Sequence, residues 1–172
     1  MADFYGTADG ARAYLVARGY SVPAKWISDD AAVEADLLVA SEWLDAMFGP
    51  QYSGTKVGLR DQIREQPRNG QFDVNFYTVP ATSVPREVEN ATYEAALRNC
   101  NVPGSLVKDW TPNKYSRVAV TGAIAVDYNN TLILTANDAQ TQFTIIAQIM
   151  YPLLTGRGFG TFSGLSGDSV RV

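Results

Sequence analysis

The chain has 172 residues, of which 46% are hydrophobic, and its net charge is −4. That length and apolar content suit one domain with a real core, plus extensions. The acidic balance argues against a protein whose main task is to hold nucleic-acid phosphates, because that task requires clustered Lys and Arg. The sequence has no histidine, so the commonest general base and the commonest imidazole ligand for zinc are both missing.

Three segments are predicted to be helices from their caps and apolar spacing. The first covers about 8–18 and follows Thr7, which can cap it. The second covers about 29–48 after an acidic start, and the third begins at Val84-Pro85 with acidic residues in its first turn. The stretch between the first two helices, 23–27, is predicted to be a linker.

The long segment 49–82 has no sustained apolar period. Its large apolar residues are predicted to be scattered packing anchors: Leu59, Ile63, Phe72, Phe76 and Tyr77. A connection of this length in a small domain is expected to be functional or to carry short elements of its own.

Alternation of apolar and small residues over 117–128 predicts a strand, or a hairpin about Thr121-Gly122. A further short strand is predicted at Leu132 to Leu134. The sequence therefore indicates a mainly α protein: a small helical bundle with a minor β element and an extended C-terminal arm.

The last predicted helix starts at Asn137-Asp138 and runs to about Leu154, with no charged residue after Asp138. Such a helix is expected either in the core or at a subunit interface. The candidate interface residues are Phe143, Ile146 and Met150.

The glycine-rich C-terminal arm, residues 156–172, follows a helical domain predicted over 1–155. Its apolar residues reach the final position: Phe159, Phe162, Leu165, Val170 and Val172. A segment that stays in water is usually poor in such residues, so the arm is predicted to bind a partner or a neighbouring subunit. The alternative is a disordered terminus with incidental apolar residues.

No catalytic constellation, metal-ligand set or cofactor motif is predicted. Residues 49–56 nearly imitate a phosphate-binding loop, but Thr55 and Lys56 stand in reversed order and no strand precedes them. One basic cluster is formed by Lys56, Arg60, Arg64 and Arg68. Because acidic residues interleave with it, an exposed ion-paired face is favoured over a phosphate site.

The single cysteine, Cys100, fits a reducing compartment, and the N-terminus lacks the features of a signal peptide. The longest apolar stretch, 143–154, is too short to span a bilayer. We therefore expect an intracellular protein without a membrane partner.

A series of short motifs, in order, resembles a known family. The motifs are Tyr5-Gly6-Thr7 before an Ala/Tyr helix, an acidic-capped helix ending at Leu44-Asp45, Arg64-Glu65-Gln66-Pro67-Arg68, Val84-Pro85-Arg86-Glu87-Val88 and Val120 to Tyr128 before the closing apolar helix. They resemble the tailed-phage head-to-tail connector proteins, also called neck, adaptor or head-completion proteins. Some relatives of these are labelled DnaT-like single-stranded-DNA-binding proteins.

The resemblance implies a structural protein without enzymatic activity, assembled in the host cytoplasm and located at the virion neck. It implies a ring of about twelve copies beneath the portal. Its partners would be the portal protein, its own copies and the next neck or tail protein, with genome DNA passing through without specific binding.

Two other classes of function stay open. A single-stranded-DNA-binding replication accessory protein would need a basic groove with stacking aromatic residues. A small carboxylate enzyme would need a pocket with convergent acids. The connector is the function that the sequence favours.

Overall fold

The computed structural model describes residues 3–106, 117–119, 125–127 and 143–154. The chain divides into two compact units, one formed by Met1–Leu106 with Phe143–Val172 and the other by Val107–Gln142. The predicted class, mainly α with a minor hairpin, is confirmed. Among the described helices, none combines the length and the apolar character needed to cross a membrane.

The first unit contains five helices in its described residues. They are α1 (Ala8–Ala17), α2 (Ala24–Ile27), α3 (Asp30–Phe48), α4 (Arg86–Asn101) and α5 (Thr144–Met150). The predicted cap of α1 is confirmed, since Thr7 Oγ1 accepts a hydrogen bond from the Gly10 amide at 3.0 Å. The prediction of a linker at 23–27 is wrong, because burial of Trp26 holds this stretch in the short helix α2.

Helix α3 packs most extensively on α4, and α4 also contacts α1 and α5. Most of the predicted apolar stripe of α3 is buried, and Leu38 and Met47 are only half-buried; the buried members are Val33, Leu37, Ala40, Leu44 and Phe48. Small residues of α4, including Ala91 and Ala95, allow the two helices to approach closely. The core of this unit is therefore built on the α3–α4 contact.

Asp36 is one of several polar side chains that are buried among these helices. Asp36 of α3 accepts hydrogen bonds from Trp26 Nε1 at 2.8 Å and from Asn99 Nδ2 at 2.7 Å, and it pairs with Lys25 at 2.8 Å. The carboxylate thus joins α2, α3 and α4, and its partners offset the cost of burying it.

The last helix is shorter than predicted. Phe143 has an extended backbone, α5 ends at Met150, and a 3₁₀ turn follows at Tyr151–Leu153. A continuous helix from 137 to 154 is therefore wrong: Phe143 leaves the helical conformation, and Pro152 has no N–H to continue the α-helical ladder. The predicted start, Asn137-Asp138, lies outside the described residues.

One face of α5 lies in the chain's own core, while Thr144, Ile145 and Gln148 are exposed. Ile146 and Met150 are fully buried there. Phe143 is half-buried, with its ring 5.5 Å edge-on from Trp43 and 5.3 Å from the Arg98 guanidinium. Any contact of these three residues with another subunit stays a prediction.

The segment between α3 and α4, residues 49–85, is here called the connecting segment. It carries the short elements that its length led us to expect: 3₁₀ turns at Gly49–Gln51 and Leu59–Asp61, and strands β1 (Thr55–Lys56) and β2 (Arg68–Asn69). The two strands are antiparallel, with Thr55 opposite Asn69 and Lys56 opposite Arg68.

The second unit contains the predicted hairpin, which is confirmed. Strand β3 (Arg117–Ala119) pairs antiparallel with β4 (Ala125–Asp127), with Val118 opposite Val126. The strand predicted at Leu132 to Leu134 lies outside the described residues. So do the apolar residues of the arm: Phe159, Phe162, Leu165, Val170 and Val172.

Candidate functional site

The basic cluster of the connecting segment is ion-paired, as predicted, but it is not an exposed face. Arg64 is 8% exposed. Its Nε donates to the Asp3 carbonyl at 2.5 Å, and its terminal nitrogens lie 3.6 Å from carboxylate oxygens of Glu42 and Asp45. Arg64 therefore fastens the connecting segment to α3 and is not available to a phosphate.

The neighbouring cations are held in the same way. Lys56 and Arg68 both pair with Glu65, at 2.8 and 2.7 Å. Arg68 also donates to the carbonyls of Ser53 and Gly54 at 2.9 and 2.8 Å. Of the four cluster residues, Arg60 alone is exposed without an ion pair in the described part of the chain.

Behind this cluster, a buried polar group ties the segment to the N-terminal residues. The Tyr5 hydroxyl donates to Asp45 at 2.5 Å and accepts from the Gln66 amide at 3.0 Å. Asp45 also accepts from the Glu65 amide at 3.3 Å. Burial raises the pKa of Asp45, although Tyr5, the Glu65 amide and Arg64 each act to lower it. The same burial raises the pKa of Tyr5.

Beyond β2 the chain folds back on itself in a tight turn, residues 71–79, here called the aromatic hairpin. The Val79 amide donates to the Gln71 carbonyl at 2.9 Å, and Phe72 is bridged to Thr78. At the tip, Asp73 Oδ1 accepts from the amides of Asn75 and Tyr77, both at 2.8 Å. This side-chain bridge stabilises the turn.

The rings at this tip point into solvent. Phe76 is 84% exposed and Tyr77 is 73% exposed, while Phe72 at the base is 42% exposed. The prediction that Phe72, Phe76 and Tyr77 are packing anchors is therefore wrong. It is wrong also for Leu59 and Ile63, which are mostly exposed, because the buried contacts of this segment are made by Tyr52 and by polar and charged side chains instead.

Phe76 also has an unusual backbone conformation. Its φ angle is +65°, in the left-handed region that glycine occupies without penalty. A bulky residue there carries a local cost of about 1–3 kcal/mol. Neither its conformation nor its burial makes a phenylalanine favourable for the fold at this position.

The aromatic hairpin is fixed to its surroundings on two sides. The Val74 amide donates to the Pro152 carbonyl at 2.9 Å, next to Tyr151, which is 61% exposed. On the other side, Ser53 Oγ accepts from the Phe72 amide at 3.0 Å. These bonds fix the backbone of the hairpin, from which the rings project into solvent.

The described residues offer little catalytic or metal chemistry. They contain no group of three or more carboxylate or cysteine side chains placed to hold a metal ion. The thiol of Cys100 has a pKa raised by burial, which makes it a poor nucleophile. The surface that stands out is the aromatic hairpin with Tyr151.

The comparisons with known proteins give one match. No curated protein and no solved structure matches the chain. The model of the family described as "Putative DnaT-like ssDNA binding protein" matches residues 1–166. The connector function is therefore wrong, and the partners predicted with it are corrected too: the portal protein, ring-forming copies, the next neck or tail protein, and genome DNA that passes unbound. The chain belongs to the DnaT-like single-stranded-DNA-binding family.

Proposed function

We propose that this protein binds single-stranded DNA and that unpaired bases stack on the exposed rings of the aromatic hairpin. The sequence left this function open as the alternative to the connector, and the description of the family supports it. The observation that carries it is Phe76, a large ring that is exposed and held at a positive φ angle.

Phe76 contributes little to folding, since most of its ring stays in water and glycine would suit its backbone better. Residues held in a sparsely populated conformation cluster at functional sites. An exposed aromatic ring in such a place is suited to contact a flat apolar surface outside the chain. The face of an unpaired base is a surface of this kind.

Stacking on aromatic rings is worth about 1–3 kcal/mol per base, and it tolerates any base because every base has a π-face. The turn bonds at Asp73 and the contact of Val74 with Pro152 hold the rings before binding. A held ring pays a smaller ordering cost than a flexible one.

The charge distribution favours stacking over phosphate contacts as the main source of affinity. The net charge is −4, and Lys56, Arg64 and Arg68 are already paired with carboxylates. Few counterions would be released, so the salt dependence of binding should be shallow, with a log–log slope no steeper than about −2. We propose binding alone, with no catalytic step.

The test is fluorescence anisotropy with a labelled oligothymidine. Phe76→Ala and Tyr77→Ala should each weaken binding about 5- to 150-fold, which corresponds to one lost stacking contact. The matched control is Tyr20→Ala, which removes an exposed tyrosine ring outside the hairpin and should leave the affinity unchanged. Equal affinities for the wild type and the Phe76→Ala/Tyr77→Ala double variant would refute this site.

A further inference from the structure

A cavity of about 590 Å³ lies beside the buried polar group. Its walls come from the N-terminal residues, the loop between β1 and β2, and the start of α4. Much of the wall is apolar: Phe4, Val57, Ile63, Pro67 and Val84. Its volume falls within the range of small-molecule sites.

Gln66 lines this cavity and is 2% exposed. Neither the oxygen nor the nitrogen of its side-chain amide has a hydrogen-bond partner among the described residues. A buried amide without partners is costly to the fold, so it requires an explanation.

Gln62, four residues earlier in the same wall, provides a contrast. Its nitrogen donates to the carbonyls of Arg64 and Pro67 at 2.9 and 3.0 Å, and its oxygen accepts from the Gly58 amide at 2.9 Å. The side-chain amide of Gln62 is thus used by the protein itself, whereas that of Gln66 is buried without a partner among the described residues.

The charges around the cavity disfavour an anionic ligand. Three carboxylates contribute to the wall, those of Asp3, Asp61 and Glu89. The wall's cation, Arg64, is engaged by Asp45 and by the Asp3 carbonyl. A phosphate would meet net negative charge here, so the ligand that fits is neutral, with an apolar body and a polar edge.

We propose that this cavity takes one unpaired nucleobase of the bound strand, with its donor–acceptor edge paired to the Gln66 side-chain amide. This inference rests on the proposed function. A glutamine amide offers one donor and one acceptor side by side, which is the pattern that binds a base edge in two places. Bases of single strands are commonly read in this way, by splaying one base into a pocket.

The cavity and the aromatic hairpin adjoin the same short strand. The loop that carries Gln66 leads into β2 (Arg68–Asn69), and the hairpin begins at Gln71. One strand of DNA would thus be held by stacking at the hairpin and by an inserted base at the cavity.

The test is the substitution Gln66→Met, which keeps an unbranched side chain and removes the polar amide. The matched control is Gln51→Met, since Gln51 also has a buried side-chain oxygen without a partner but lies outside the cavity and outside the aromatic hairpin. Gln66→Met should unfold at the same temperature as the wild type or at a higher one, because it loses an unsatisfied polar group. Gln66→Met alone should bind the labelled oligonucleotide about tenfold more weakly.

Two results would overturn the inference. One is an unchanged affinity of Gln66→Met while Phe76→Ala still weakens binding. That result would support the stacking site at the hairpin and refute the base site in the cavity. The other is a lower unfolding temperature of Gln66→Met with unchanged affinity, which would give Gln66 a structural role.

A second measurement uses the wild-type chain and free deoxyadenosine, followed by NMR. Chemical-shift changes at Phe4, Ile63 and Gln66 would support a base site even if oligonucleotide binding at the hairpin failed. Absence of such changes at millimolar nucleoside, together with unchanged oligonucleotide affinity of Gln66→Met, would refute it.

Discussion

The helical core and the connecting segment are stabilised by different forces. The core is closed by apolar side chains of α1, α3, α4 and α5, nearly all without exposed surface. The connecting segment places Leu59, Ile63, Phe76 and Tyr77 in solvent, and it buries several polar residues together with Tyr52. Stability therefore resides mainly in the core, and the exposed rings are left for recognition.

The contrast is sharpest where the two regions meet. Asp45 belongs to the core helix α3. Its carboxylate nevertheless accepts a hydrogen bond from Tyr5 near the N-terminus, and it contacts Arg64 and the Glu65 amide of the connecting segment. Polar contacts thus join the segment to α3, in addition to the packing of Tyr52, Val79 and Val84 against the core. Substitutions in the two regions should have separable effects on stability and on DNA binding.

The largest effect on stability is expected from the core. Leu44→Ala removes a fully buried side chain of α3, and it should lower the free energy of unfolding by about 2–5 kcal/mol. Urea unfolding measures this. The folded variant should still bind DNA with wild-type affinity. A loss below about 1 kcal/mol would show that the core does not depend on this packing.

The next effect separates the segment from the core. Arg68→Met removes the bonds to Glu65, Ser53 and Gly54 and the guanidinium 6.0 Å from the Tyr52 ring, and it deletes no apolar core side chain. We expect faster amide exchange near β1 and β2 and weaker DNA binding. The global free energy of unfolding should fall by about 1 kcal/mol. A global loss as large as that of Leu44→Ala would contradict the separation.

A smaller effect with the opposite sign is expected at the tip of the hairpin. Phe76→Gly relieves the positive φ angle, so the unfolding temperature should stay unchanged or rise while DNA binding weakens. The control is Phe72→Gly, because Phe72 has no positive φ angle, so this substitution removes a ring at the base of the hairpin without relieving the backbone. A lower unfolding temperature for Phe76→Gly than for Phe72→Gly would contradict this account.

The smallest effect is a pH dependence at the junction. Burial raises the pKa of Asp45 above its ordinary value of 3.8. The folded state then binds the proton more tightly than the unfolded chain, so this group's contribution to stability is present below that value and is lost as pH rises through the folded pKa. Compared with Asp45→Asn, the wild type should lose free energy of unfolding as the pH rises through the folded pKa of Asp45. Parallel curves from pH 3 to 7 would contradict the assigned burial.

The sequence predicted the helices well because their signals are local. Thr7 forms a cap within its own turn, and the stripe of α3 repeats at helical spacing. The short helix α2 was missed because it depends on burial of Trp26 and on its bond to Asp36, ten residues away.

The candidate site was hidden for a related reason. An isolated phenylalanine in an irregular segment predicts packing, and nothing local distinguishes an exposed Phe76 from a buried one. The buried state of Arg64 and Gln66 depends on Tyr5 and Asp45, which are distant in the chain. The connector resemblance depended on the order of short motifs, and the family match over 1–166 corrected its functional implication.

The central claim, that the aromatic hairpin contacts unpaired bases, is tested most directly by photo-cross-linking the wild-type chain to a single-stranded oligonucleotide that contains iodouracil. Tryptic cleavage after Arg68 and Arg86 isolates residues 69–86, which contain Phe72, Phe76 and Tyr77 and no other cleavage site. We predict that this peptide carries the major cross-link, with Phe76 or Tyr77 as the modified residue. A strand that cross-links efficiently elsewhere in the chain, and leaves this peptide unmodified, would contradict the account.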